Sequence, residues 1–312
     1  MNDNEHVRIA VTLSEVMNYA QYQNGIRTIK SIIISSDSTE SIRDMVLKVS
    51  CDDGIIRSDE IGVNELSPES DLEIKDFDIS VNASELAEIT ERITVDLLFE
   101  LKTQDTVIAS LSKKITVLAY DEWQGLSYSP ELITAFITPN EAHISKILSR
   151  ASVYLNNWTS DPSFNAYQTQ NPNRVIYQAA AVYSAICEQN IVYSEPQASF
   201  EQVGQRVRLC DKVLEQKLGT CLDLSLLFVS CLEAVGINTL LLFKSGHVFP
   251  GYWLEEMTFA DSVSDDPSLI TKKMADGISE LTVLESTTMI SGKTVTFSDS
   301  QMIGKNEIND DK

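Results

Sequence analysis

The alternation of apolar and polar positions changes period once along the chain. Up to about residue 119 the period is two. The stretches 7–12, 26–35, 45–50, 71–79, 92–101 and 106–118 read as strands. Turn signals separate them, among them Asp52-Asp53-Gly54 and Thr103-Gln104-Asp105. Short strands at this spacing predict an antiparallel, all-β sandwich. A polar, aromatic stretch at 119–130, broken by Gly125 and Pro130, reads as a junction.

Beyond it the period becomes 3.6. Pro139-Asn140 opens a helix with Ile144, Ile147, Leu148, Ala151 and Leu155 on one face. Asn171-Pro172 opens another, with Val175, Ile176, Ala179, Val182, Tyr183 and Ile186 aligned and Cys187 beside the stripe. Residues 193–200 read as a loop and 211–218 as a short helix. Between Gly219 and Gly236 lies the most regular stripe of all: Leu224, Leu227, Phe228, Cys231, Leu232 and Val235. Thr220 and Asp223 have the spacing of a capping box, and Gly236 reads as the stop. Residues 238–245 read as a buried strand and the run from His247 as the next one. A long excursion follows at 258–277, with a helix from Pro267. β signal returns at 281–290 and 293–297, and the charged last residues, from Gly304 on, read as a frayed end.

This pattern places Cys221 at the first position of a helix. Helix N-terminal N–H groups and the dipole favour a thiolate, the nucleophilic form. His247 opens a strand, and Glu285 falls in a later β-like run. A thiol at a helix start, an imidazole on a strand and a carboxylate on the next make a nucleophile, its base and the group that orients the base. Asp261, Asp265 and Asp266 compete for the third role but lie on the excursion, where no rigid element would fix them. Asp223 reads as a cap, Cys187 and Cys231 as buried inert thiols, and Tyr252 and Trp253 as core. The backbone N–H of Cys221, with Gln205 as a side-chain candidate, would serve a developing oxyanion.

Composition narrows the field. The 312 residues are 43% hydrophobic, enough for about two cored domains. With 24 basic against 46 acidic residues the net charge is −22, which argues against direct nucleic-acid binding. No apolar run approaches the ~20 residues a membrane span needs, and no leader precedes residue 8, so a cytoplasmic location is expected. The five cysteines are scattered without metal-ligand spacing, so neither a disulfide framework, a metal nor a cofactor is expected.

The order Gly-Thr-Cys-Leu-Asp-Leu (219–224), Gly-His-Val-Phe (246–249), Leu-Glu-Ser-Thr-Thr (284–288) resembles the transglutaminase-like branch of the papain-type cysteine hydrolases. The resemblance implies Cys221 as nucleophile, His247 as base and Glu285 as acid, with Ser286-Thr287 in the small-Thr positions. Val248, Phe249 and Glu285 stand where that branch usually has Ala, Trp and Asp. A wider resemblance rests on 117–125, 130–140, 205–208 and 217–224. These are similar to the amino-terminal region of very large bacterial proteins that continue into helicase and nuclease segments, which implies a DNA-processing or defence setting.

The expected architecture is an Ig-like β-sandwich over 1–119 followed by an α+β papain/transglutaminase-like domain over 120–312. The expected activity is thiol-dependent acyl transfer or hydrolysis on a protein or peptide, water as acceptor giving a protease or amidase and an amine giving a transglutaminase. The rival expectation is a non-catalytic module that binds or senses a protein.

Overall fold

The computed structural model describes residues 6–104 and 106–309; the turn expected at 103–105 and the tail expected from Gly304 thus lie partly outside the described residues. The chain divides into two compact units, one ending at Glu122 and the other beginning at Trp123.

The first unit holds two main sheets. In one, Ile29–Ser36 lies between Val7–Leu13 and Asp71–Ile74, antiparallel to both. The other runs in the order Val16–Met17, Thr106–Val117, Ile93–Thr103, Ile42–Ser50, Asp59–Leu66. Its pairs are antiparallel except at Val16–Met17. Strand alternation turns every second side chain inward. Val95, Leu97, Phe99 and Leu101 are buried in this way, and so are Met45, Leu47 and Val49; with Ile32 and Ile34 of the other sheet they share one core. Asp59–Leu66 carries little apolar signal because it is an edge strand, burying only Val63 and Leu66. The unit is not all β. Tyr19–Gln23 forms one helical turn behind a capping box of Asn18 and Gln21, and Ala83–Ala87 forms another.

The second unit mixes helices with a three-stranded antiparallel sheet. His247–Trp253 is the central strand, between Thr239–Lys244 and Leu281–Val283. Helices Ala142–Thr159 and Pro172–Cys187 bury the faces that their periodicity marks. Between them and the sheet runs Cys221–Glu233. Thr220 Oγ1 accepts from Asp223 N–H at 3.2 Å and Asp223 Oδ2 accepts from Thr220 N–H at 2.9 Å, which completes the box. Every residue from Cys221 to Leu232 is buried, so the apolar stripe widens to the whole circumference, as it does in a helix enclosed by a core. Leu224, Leu227, Phe228 and Leu232 are inaccessible, each contributing roughly 1.5–3 kcal/mol of apolar burial.

Three expectations are corrected downstream. Thr239–Lys244 is half-buried along its length, because it is an edge of the sheet. The β signal at 281–290 yields only Leu281–Val283, after which Ser286–Met289 winds into a 3-10 turn. Residues 293–297 form no strand, and the helix Phe297–Asn309 runs past Gly304, from which fraying was expected. Thr296 Oγ1 accepts from Asp299 N–H at 3.1 Å and starts that helix. Gly304 lets the helix lie flat on the preceding chain: a Cβ there would stand 2.8 Å from the carbonyl carbon of Leu284.

Candidate active site

Cys221, His247 and Glu285 converge from three elements. Cys221 opens the buried helix, His247 opens the central strand, and Glu285 follows the third strand as the cap of the 3-10 turn. His247 Nε2 lies 2.7 Å from Glu285 Oε2. Cys221 joins Glu285 in raising the imidazole's pKa, so the thiol stands beside the ring. With Nε2 committed to the carboxylate, Nδ1 is the ring nitrogen left for sulfur. Phe249 stacks beside the ring, centroids 5.9 Å apart.

Glu285 is held as tightly as it holds. Its Oε1 accepts from Thr287 N–H at 2.8 Å. Its backbone N–H donates to Ser300 O at 3.0 Å, and its carbonyl accepts from Thr288 Oγ1 at 2.6 Å and Ser300 Oγ at 2.9 Å. The carboxylate is therefore fixed from the last helix as well as from its own turn.

A second lock joins all three motifs. Ser225 Oγ donates to Cys221 O at 2.7 Å and lies 2.9 Å from Ser286 Oγ and 3.3 Å from Val248 O. Both serines are inaccessible to solvent. A hydroxyl on a helix facing apolar neighbours was the sequence signal for Ser225; it was overlooked because the stripe was read only through its apolar members. Tyr193, expected in a loop, lies in the short strand Val192–Tyr193, paired with Gly219 just before the thiol helix. Nothing in the sequence around it marks that placement.

The charges support one another. Burial acts to lower the His247 pKa, yet the hydrogen bonds and charges of Cys221 and Glu285 outweigh it and push the value up to about 10. Burial acts to raise the Glu285 pKa, and the His247 contact and the Thr287 N–H bring it below the ordinary carboxylate value instead. The other thiols lie outside any such arrangement. Burial pushes Cys51 and Cys187 up to about 11 and raises Cys210 and Cys231.

The remaining sequence candidates fall away from the chemistry or stand beside it. Asp261, Asp265 and Asp266 are exposed on the excursion. Asp223 caps the helix and pairs with Arg208 at 3.2 Å. Tyr252 and Trp253 are buried in the core. Gln205 is buried next to the site, its Nε2 donating to Thr220 Oγ1 at 3.4 Å. Among the described residues no group of three His, Cys, Asp or Glu side chains could hold a metal ion, and no helix is long and apolar enough to cross a membrane. No model of a known protein family matches the chain, and no curated protein matches it.

Proposed function

We propose that the second unit is a transglutaminase-like cysteine hydrolase domain of papain type, and that the first is an Ig-like sandwich attached to it. The reaction is thiol acyl transfer on a protein or peptide. Cys221 sulfur attacks an amide carbonyl while His247 takes the thiol proton. His247 returns that proton to the departing amine, which leaves a thioester on Cys221. Water then attacks the thioester with His247 as base, releasing the acid and restoring the thiol. Glu285 holds the imidazole and stabilises its charged form throughout. The Cys221 backbone N–H, at the donor-rich end of its helix, and the Gln205 amide would face the oxyanion. No metal or cofactor enters these steps.

The observation that carries this reading is an imidazole bonded at 2.7 Å to a buried carboxylate, with the helix-start thiol close enough to raise its pKa. An ordinary structural histidine has no need of a sulfur partner. The test is alkylation of Cys221 by iodoacetamide at pH 6.5, located by peptide mapping. Cys221 is expected to label ahead of Cys51, Cys187, Cys210 and Cys231, and His247→Ala is expected to slow it at least tenfold, about one pKa unit's worth. Equal labelling of Cys221 in the two proteins would remove the nucleophile.

One observation favours a second reading. Cys221 is 0% exposed. A closed thiol suits a module that has kept the shell and binds or senses a protein partner, in a larger assembly with helicase and nuclease segments. Thiol-dependent peptide or amide hydrolysis that disappears in Cys221→Ala would exclude it.

A further inference from the structure

A polar group inside a buried helix is costly unless it is hydrogen-bonded. The helix Cys221–Glu233 is buried from Cys221 to Leu232, yet it carries Asp223, Ser225 and Ser230 within that span. Asp223 accepts from Arg208 N–H at 2.8 Å, and Ser230 Oγ accepts from Thr138 N–H at 3.0 Å. Ser225 turns to the strand of His247 and the turn of Glu285.

A serine hydroxyl has one proton to give and lone pairs to receive. The Ser225 proton faces two carbonyls, Cys221 O at 2.7 Å and Val248 O at 3.3 Å. Ser286 Oγ, at 2.9 Å, is therefore the donor within the hydroxyl pair, and it also lies 3.4 Å from Cys221 O. The groups that Ser225 binds belong to the thiol residue itself, to the residue after the imidazole and to the residue after the carboxylate. Both hydroxyls are inaccessible to solvent, where hydrogen bonds are stronger than in water. The imidazole and the carboxylate are bonded to each other at 2.7 Å. Ser225 and Ser286 join the backbone of that pair to the helix start that carries the sulfur. Stability gives little reason for such an arrangement: two buried hydroxyls that bond to each other can be replaced together at almost no cost, and alanine is the better helix former.

We propose that Ser225 and Ser286 are positioning residues for the reaction: the hydroxyl pair sets the register of the Cys221 helix against the His247 strand and the Glu285 turn, and thereby the approach of sulfur to imidazole. The proposal rests on the reading of Cys221 as nucleophile. Neither hydroxyl touches the substrate. Each acts through a backbone, and a misplacement of about 1 Å can cost a reaction about 10²-fold.

The test is iodoacetamide alkylation of Cys221 against pH, located by peptide mapping, together with the thermal midpoint, in the full 312-residue chain. The variants are Ser225→Ala, Ser286→Ala, the two combined, and His247→Ala. Ser225→Ala cuts the links to both strand and turn. It is expected to slow labelling at pH 6.5 roughly fivefold, one hydrogen bond's worth, and to move the pH profile toward that of His247→Ala. Ser286→Ala cuts only the link to the turn and leaves Ser225 bonded to Cys221 O, so a smaller change in the same direction is expected. The combined variant leaves no hydroxyl without a partner; it is expected to melt close to wild type and to label as slowly as Ser225→Ala. A merely structural role would move the midpoint and leave the pH profile of the folded protein in place. If Ser225→Ala melts too low to be labelled folded, Ser286→Ala decides. Wild-type profiles in the folded alanine variants, with a shifted one in His247→Ala, would overturn the positioning role and leave the nucleophile standing. An unchanged profile in His247→Ala would overturn the nucleophile, and the positioning role with it.

Discussion

At Glu285 a single oxygen decides what the site can do. Its Oε2 accepts from His247 and its Oε1 from Thr287 N–H, so the carboxylate has no freedom to turn. Glu285→Gln preserves the size and the acceptor for Thr287 but cannot stabilise an imidazolium. Cys221-dependent turnover is expected to fall, by up to about 10⁴-fold where an orienting carboxylate is amidated, with little change in the thermal midpoint. Retained turnover would transfer the role to another acid. The pair also makes stability depend on pH. His247 is raised from 6.5 to about 10, so its contribution is complete below pH 6.5 and is lost as pH rises through 10. Glu285 is lowered from 4.5, so its contribution is present above pH 4.5 and is lost as pH falls through its folded value. The difference in thermal midpoint between wild type and His247→Ala is thus expected to be widest between pH 4.5 and 6.5 and to narrow toward pH 10. A gap that does not vary with pH would mean that folding leaves the imidazole's pKa where it lies in the unfolded chain.

Among the elements, the helix that opens with Cys221 was the most legible. Its stripe, capping box and glycine stop are local features, written in adjacent residues, and local features survive without knowledge of the fold. The stretch after Val283 was misread for the opposite reason. Leu284 to Ile290 alternates like a strand, but Ser286, Thr287 and Thr288 serve a turn stabilised from distant residues, with Ser300 and Tyr183 among their partners. The residues from Gly304 on looked like a tail because they are charged, yet they continue the helix Phe297–Asn309, one face of which carries the inaccessible Ser300 and buried Gly304. Gly304→Ala tests the importance of that face. Alanine gains up to about 1 kcal/mol of helix propensity, yet its Cβ meets main chain at Leu284, where overpacking costs about 1–3 kcal/mol. The expected result is a lower denaturation midpoint together with slower Cys221 alkylation. A midpoint raised by the full propensity gain would show that the helix is free to move off the acid.

For the molecule as a whole, the change of period along the chain marked where strands give way to helices, and the two compact units meet in sequence between Glu122 and Trp123. What composition concealed is that the second unit opens on packed residues. Trp123 and Gln124 are both buried. Gly125 and Gly204 let the adjacent main chains meet, and a Cβ on Gly204 would stand 2.0 Å from Trp123 O. Residues 260–267, by contrast, are exposed without interruption. Limited proteolysis is expected to cut first within 260–267 and to spare 123–125; an initial cut at 123–125 would show that the start of the second unit opens on its own.

The position of Ser300 has a consequence for how the protein is made. Synthesis delivers the amino-terminal parts of a chain first. The thiol helix, the histidine strand and Glu285 itself all emerge before Phe297–Asn309, which supplies the hydroxyl and carbonyl that hold the Glu285 backbone. A growing chain on the ribosome therefore carries its sulfur and imidazole for a time without the helix that holds Glu285 in place. Nascent chains arrested just short of Phe297 are expected to leave Cys221 poorly reactive, and chains released past the helix to gain full reactivity at once. On the proposed reading the last helix thus works as a timer, withholding the fixed carboxylate from Cys221 and His247 until the chain beyond Phe297 has emerged.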